Sequence, residues 1–280
     1  MTATNLRPAI DASRARLAAI GADQARIAII LGSGLGGLDR HLSDAKRVSY
    51  ADLPGFPKPG VAGHAGEAVV GQLNGVTVLL YRGRQHFYET SDASALKVMI
   101  RTVKALGIPR LFVSNAAGAL NTSFGVGELM AIRDHINMMG FNPLIGENDD
   151  DWGPRFPAMS GAWNAELTAL LHQAAHDSGV KLNEGVYLAF RGPTFETAAE
   201  IKMAQGMGGD AVGMSSVPDC IIARHCGLEV VGCSCLTNMG EGLSDEKLSH
   251  SHTLENAARA AQGFEKLIAQ FVTLLPAEAT

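Results

Sequence analysis

The sequence predicts an α/β sandwich: one domain over residues 1–280, with a mixed, largely parallel central sheet flanked by helices. Three observations predict it. Continuous apolar runs of strand length recur along the chain, as expected for strands buried on both faces. Helical patterns lie between them, and this alternation implies layers packed on a sheet. No break in composition, internal repeat or low-complexity linker divides the chain.

The elements follow in order. Residues 9–22 have helical spacing, and 26–31 (RIAIIL) form the first strand run, ending at Gly32. Residues 76–81 (VTVLLY) and 110–114 (RLFVS) read the same way, as do 184–190, 211–214 and 228–236. Helical patterns cover 94–106, 165–176, 196–205 and 218–225. The last helix is the clearest, because Leu254, Ala257, Ala258, Ala261, Phe264, Leu267, Ile268, Phe271 and Leu275 make one apolar stripe. Residues 51–66, 142–157 and 238–249 read as long loops, the first rich in proline and glycine. Loops of such length in compact domains are often functional.

Composition excludes several classes. The chain has 32 glycines, 46% hydrophobic and only 18% charged residues. That excludes disorder, and the glycines lack the three-residue period of collagen. A formal net charge of −5 argues against a general nucleic-acid binder. Cys220, Cys226, Cys233 and Cys235 match no common zinc spacing and read as buried thiols. No apolar signal region opens the chain and no run reaches about 18 apolar residues, so a cytoplasmic protein without membrane spans is expected.

Polar motifs cluster where strand runs end. Gly32-Ser33-Gly34-Leu35-Gly36-Gly37 formally matches the dinucleotide fingerprint, but Asp52, at the spacing of its acid, opens a Pro/Gly-rich loop. The run reads either as an oxyanion site built from backbone N–H groups and the Ser33 hydroxyl, or as a plain tight turn. After VTVLLY come Arg84, His86 and Tyr88, which alternation sends to one side if the chain stays extended. Arginine there offers a planar donor fork for phosphate oxygens. Ser114 to Gly118 (SNAAG) is small enough to let a ligand touch backbone amides, or to make an ordinary turn. Phe195 and Glu196 suit stacking on and hydrogen bonding to a planar heterocycle, or else open a helix with Thr194 as N-cap. Ser215 and Ser216 cap a helix or hold an anion, and no nucleophile elbow accompanies them. Asn238, with an amide that both donates and accepts, suits the edge of a 6-oxopurine. His250-Ser251-His252 lacks the supporting carboxylates of a metal pair.

Together these runs resemble the trimeric class of purine nucleoside phosphorylases over nearly the whole length. The matching segments are LGSGLGGL, GHAGE, RGRQHFYE, SNAAGAL, RFPAMS, GPTFETAAE, DAVGMSSVPD, ARHCGL and TN followed by LSH. The resemblance implies a nucleoside phosphorylase fold and a homotrimer. It implies reversible phosphorolysis of purine nucleosides with inorganic phosphate as co-substrate and neither metal nor organic cofactor. By position, Ser33, His64, Arg84, His86, Ala116 and Ser215 would hold phosphate, with His64 and Glu89 beside it. Tyr88, Met214 and His250, or His252 by an alternative count, would hold the pentose. Phe156 would reach the sugar of a neighbouring subunit. Phe195, Glu196, Val212 and Asn238 would hold the purine. Asn238, His86, Glu89 and His64 would be the catalytic set.

Two positions select within that family. The related methylthioadenosine phosphorylases usually carry serine where Glu196 stands and aspartate where Asn238 stands. The Glu196/Asn238 pair therefore implies 6-oxopurines, inosine and guanosine, while Gly240-Glu241-Gly242 in place of the usual Ala-rich run leaves xanthosine open. The competing readings are a methylthioadenosine phosphorylase and a nucleotide-binding module that does no chemistry.

Overall fold

The computed structural model describes residues 5–58, 65–244 and 250–277. Its strands are β1 (Ile27–Leu31), β2 (Ser43–Ser49), β3 (Glu67–Leu73), β4 (Val76–Arg82), β5 (Arg110–Ala119), β6 (Leu129–Met138), β7 (Leu182–Phe190), β8 (Ala211–Gly213) and β9 (Glu229–Met239). The helices are α1 (Arg7–Ala18), α2 (Phe87–Thr90), α3 (Ser94–Ala105), α4 (Ala165–Ser178), α5 (Ala198–Gly206), α6 (Val217–His225) and α7 (His250–Leu274).

Among the described residues the strands form one sheet, in the order β2-β3-β4-β1-β5-β8-β7-β6-β9, and β9 pairs back onto β5. One end of the sheet is thus open, while five strands at the other end close into a ring. Five of the nine pairings are parallel and four antiparallel, so the sheet is mixed. The two faces of β1 show the sandwich. Ala28 and Ile30 pack with α1, α3 and α6 through Leu17, Met99 and Ile222. Ile27, Ile29 and Leu31 face α4 and α7 through Leu171, Phe264, Ile268 and Phe271. Each such large apolar side chain contributes about 1.5–3 kcal/mol on full burial. Helix ends obey local chemistry: the Asn164 side chain accepts from Leu167 N at the start of α4, and Gly179 ends it at φ 67°.

Six strands coincide with the apolar runs in the sequence, and β2, β3 and β6 do not. β2 (SDAKRVS) is an edge strand, exposed almost throughout, so it carries charges where a central strand carries valine. β6 is buried over its first four residues and then mostly exposed, with the register shifting between Ile132 and Asp134. β5 runs on through the small residues after Ser114, which are strand and not turn.

The loop at 142–157 is pinned to the helical layer. Trp152 lies between the guanidinium groups of Arg7 and Arg101, 5.3 and 5.2 Å from its ring centre. Asn148 Oδ1 meets His225 Nε2 at 3.2 Å. Gly153 sits where a Cβ would collide with the His225 carbonyl oxygen.

Candidate active site

The polar motifs converge because they follow the carboxyl ends of neighbouring strands, where open α/β sheets bind ligands. Ser33 follows β1, Arg84 follows β4, Ala116 to Gly118 end β5, Phe195 and Glu196 follow β7, Met214 and Ser215 follow β8, and Asn238 ends β9. They line a cleft open to solvent, whose space is about 770 Å³ with the open solvent at its mouth included. Of the residues expected in a site, it brings together Ser33, Arg84, His86, Tyr88, Ala116, Phe195, Glu196, Val212, Met214, Ser215 and Asn238.

The glycine run is a tight turn and not a dinucleotide loop. Leu35 N donates to the Gly32 carbonyl at 3.1 Å, with Gly34 at φ 78°. A 3₁₀ segment (Gly36–His41) follows in place of the long helix of that motif. Asp52 lies in a short 3₁₀ turn beyond the antiparallel edge strand β2, not at the end of a strand parallel to β1. Gly32 is required by close approach, since a Cβ there would lie 2.8 Å from both Asn115 Cα and the Ser114 carbonyl oxygen. Its N–H instead donates to Ser114 Oγ at 3.0 Å.

Arg84 is almost fully buried. Its Nη2 donates to the Ser114 carbonyl oxygen at 2.7 Å and to Ser215 Oγ at 3.1 Å, and its Nη1 lies 3.3 Å from Asp219 Oδ2. Extended alternation is not what gathers Arg84, His86 and Tyr88. β4 stops at Arg82, Gly83 turns at φ 109°, and α2 carries Tyr88. The helix brings the Tyr88 ring onto His86, with centres 4.9 Å apart and planes 11° from parallel. Glu89 does not line the cavity. Its Oε1 accepts from the His86 backbone N at 2.6 Å and lies 3.2 Å from His86 Nδ1, so it orients the imidazole from behind. Burial, then the Glu89 charge, push the Tyr88 hydroxyl up to about 12, which keeps it a neutral donor.

On the far side, Thr197 and not Thr194 caps α5. The Thr197 hydroxyl accepts from Glu200 N at 3.2 Å while Glu200 Oε2 accepts from Thr197 N at 2.8 Å. The helix therefore starts too late to absorb Phe195 and Glu196, which reach the cavity from the chain before it. Glu196 is 9% exposed, and its Oε1 has no hydrogen-bond partner among the described residues. Burial raises its carboxyl above the ordinary range; its own backbone amide opposes this, and Glu200 adds to it.

Asn238 owes its direction to a bulge. Ala117 and Gly118 of β5 pair with Leu236 and Asn238 of β9, so Thr237 is an extra residue. Such an insertion re-aims side chains. Thr237 Oγ1 lies 3.0 Å from Asn238 Oδ1, and Asn238 Nδ2 donates to the Met239 carbonyl at 2.9 Å. A carbonyl only accepts, so this pair of contacts fixes which end of the amide is nitrogen. One N–H of that nitrogen goes to Met239, leaving the second for a ligand.

Phe156 stands apart, 87% exposed on the pinned loop and outside the cavity of its own chain. His64 lies outside the described residues, as do the side chains of His250 and His252. Among the described residues no three His, Cys, Asp or Glu side chains are grouped to hold a metal ion. No described helix is long and apolar enough to cross a membrane.

A family model described as the Phosphorylase superfamily matches residues 26–273. The purine nucleoside phosphorylase 1 of Geobacillus stearothermophilus is 48% identical over 247 residues, covering 88% of this chain and 90% of that one. The chain belongs to the purine nucleoside phosphorylase family. The mouse purine nucleoside phosphorylase is 44% identical, covering 90% of this chain and 89% of its own. Among solved structures, the Schistosoma mansoni purine nucleoside phosphorylase in complex with inosine superposes with a TM-score of 0.90 at 35% identity, over 96% of this chain and 97% of that one. The same organism's enzyme in complex with adenosine matches with a TM-score of 0.90 at 36% identity, over 97% and 98%.

Two members of the site have no role among those the motifs imply: Asp219, which closes the DAVGMSSVPD segment, and Tyr187, which lies outside every matching segment. Tyr187 comes from β7, and its hydroxyl accepts from Ser215 N at 3.3 Å. Asn115 Nδ2 donates to Ser216 Oγ at 2.8 Å, holding a buried residue at φ 64°. Positive φ in a non-glycine residue costs of order 1–3 kcal/mol and marks a turn held by its surroundings. Ser216 thus braces the turn, while Ser215 faces the cavity.

Proposed function

We propose that this chain catalyses the reversible phosphorolysis of purine ribonucleosides and deoxyribonucleosides, preferring the 6-oxopurines inosine and guanosine, with a role in purine salvage. The observation that carries the proposal is the set of polar groups gathered in one cavity: a buried guanidinium, two serine hydroxyls, an amide and a buried carboxyl line it together.

In this reading Ser33, Arg84, His86, the Ala116 amide and Ser215 hold phosphate, with His64 and Glu89 beside it. Tyr88, Met214 and His250 or His252 hold the pentose. Phe195, Val212, Glu196 and Asn238 hold the base. A phosphate oxygen attacks the anomeric carbon as the bond to the purine nitrogen breaks, and the bonding pair leaves with the base. Positive charge develops on the sugar and negative charge on the purine. Fixed donors place the phosphate against the first, and Asn238 Nδ2 donates to the second at the N7/O6 edge. Glu196 accepts from the purine N1–H and, in guanine, from the 2-amino group. No metal or organic cofactor enters the scheme. A homotrimer is part of it, because exposed Phe156 then completes a neighbour's sugar site, and a cytoplasmic location suits the substrates.

The test is a spectrophotometric panel of inosine, guanosine, xanthosine, adenosine and methylthioadenosine, each with and without phosphate. Phosphate-dependent cleavage of inosine and guanosine ahead of adenosine is the expected result. Strong preference for the adenosine compounds would reassign the chain to methylthioadenosine phosphorolysis. Tight binding of NAD(H) without phosphorolysis would favour the non-catalytic module.

A further inference from the structure

We infer that Asp219 is the counter-charge of Arg84 and sets how tightly the enzyme holds phosphate. This rests on the reading that Arg84 binds phosphate. Asp219 is 1% exposed, on the first turn of α6, and its carboxylate is the buried anion paired with the Arg84 guanidinium.

The geometry distinguishes holding a charge from holding a position. Arg84 is already fixed by shorter bonds to two other elements, Ser114 of β5 at 2.7 Å and Ser215 of the turn before α6 at 3.1 Å. The Asp219 contact is the longest of these at 3.3 Å and uses one carboxylate oxygen. The other oxygen, Oδ1, is buried with no hydrogen-bond partner among the described residues. A side chain placed to clamp a guanidinium would use both oxygens in a fork. Asp219 does not, so its dominant effect on Arg84 is its charge.

That charge matters because of where it lies. Arg84, His86, Met214 and Ser215 form a partition: they line the main cavity and also a smaller one behind it, lined by Asp219, Pro218, Leu96 and Phe141. Phosphate enters on one side of the guanidinium and Asp219 stands on the other. Without phosphate, Asp219 neutralises a buried cation that would otherwise be costly. With phosphate, two anions share one guanidinium and repel through it. Asp219 therefore keeps the empty site folded and keeps phosphate affinity moderate, which suits an enzyme that must release a phosphorylated sugar each turnover. Asp219 is a positioning residue in that it places charge and acts only through Arg84.

The test is titration of inorganic phosphate into the full chain and its Asp219→Asn, Asp219→Glu and Arg84→Met variants, by calorimetry and by phosphate-dependent thermal unfolding, with steady-state kinetics. Asp219→Asn keeps the shape and removes the charge. It should bind phosphate about tenfold more tightly, as repulsion across a partly buried site predicts. Its melting temperature without phosphate should fall and recover as phosphate is added. KM for phosphate should fall and kcat with it, while KM for inosine stays within about twofold. Asp219→Glu, which keeps the charge, should stay near the parent. Equal or weaker phosphate binding by Asp219→Asn would overturn the inference and leave Asp219 a purely structural partner. Failure of that variant to fold even at saturating phosphate would also overturn it, because the bound anion should replace the missing charge. Unchanged phosphate binding by Arg84→Met would instead refute the assignment of Arg84 itself.

Discussion

Asn238 is the residue whose removal reports most directly on the proposed chemistry. Its amide is fixed by Thr237 Oγ1 and the Met239 carbonyl, at 3.0 and 2.9 Å. Room in front of it exists because Gly118 has no side chain, a Cβ there lying 3.0 Å from Asn238 Nδ2. Asn238→Ala deletes one leaving-group donor and two half-buried hydrogen bonds. The donor is worth about 2.7–4 kcal/mol in the transition state, a loss of about 10²–10³ in kcat. The two lost bonds should cost only about 1–3 kcal/mol of stability, so the variant should fold. The assay is inosine cleavage at saturating phosphate, with thermal unfolding as the control. A folded Asn238→Ala variant that keeps kcat within about fivefold of the parent would remove Asn238 from transition-state stabilisation. Asn238→Asp sharpens the test. It sets a carboxyl oxygen against the Met239 carbonyl, two acceptors in contact, so the group must carry a proton or turn. Either way it offers the base an acceptor where the amide offered a donor. The ratio of adenosine to inosine turnover should rise about tenfold, equivalent to 1.4 kcal/mol, and an unchanged ratio would refute the assignment.

Other consequences are as open to measurement. The Glu196 carboxyl is raised mainly by burial; a group raised in the folded state contributes stability at low pH, and that contribution is lost as pH rises through its folded value. Glu196→Gln should therefore melt higher than the parent without ligand at neutral pH, an advantage that disappears in acid, while weakening inosine and guanosine by about 1.5–3 kcal/mol. A lower melting temperature at neutral pH would contradict the first half, and unaltered KM values the second. Gly32→Ala drives a methyl against β5 backbone 2.8 Å away and should cost about 1–3 kcal/mol in a denaturation curve. All four thiols are buried and raised by burial, Cys226 to about 11 and Cys235 to about 12, so a thiol reagent should label the protein only after unfolding. Rapid labelling of the native protein would disprove that.

The chain itself determined its central strands, because a strand buried on both faces must be apolar throughout, as RIAIIL and VTVLLY are. It determined most of the α7 stripe, from Ala257 through Phe264, Leu267, Ile268 and Phe271 to Leu275, because one helix face is packed inward, although Ala258 is exposed and Ala260 is buried instead. Most of the cavity was named by the resemblance that ordered runs such as RGRQHFYE and GPTFETAAE carry, since small and polar residues after a buried strand serve turns and helix caps as readily as a ligand. Edge strand β2 was hidden because exposure removes the apolar signal, and β6 because its burial changes halfway. Only the tertiary structure decided which side chains meet. The ring closure that pairs β9 with β5 brings Asn238 beside Gly118, and the Thr237 bulge turns it inward. The packing of α6 sets Asp219 behind Arg84, 135 residues away in the chain. Spacing along a sequence carries no information about such contacts, because they follow from how the sheet closes and not from any local preference of the residues that make them.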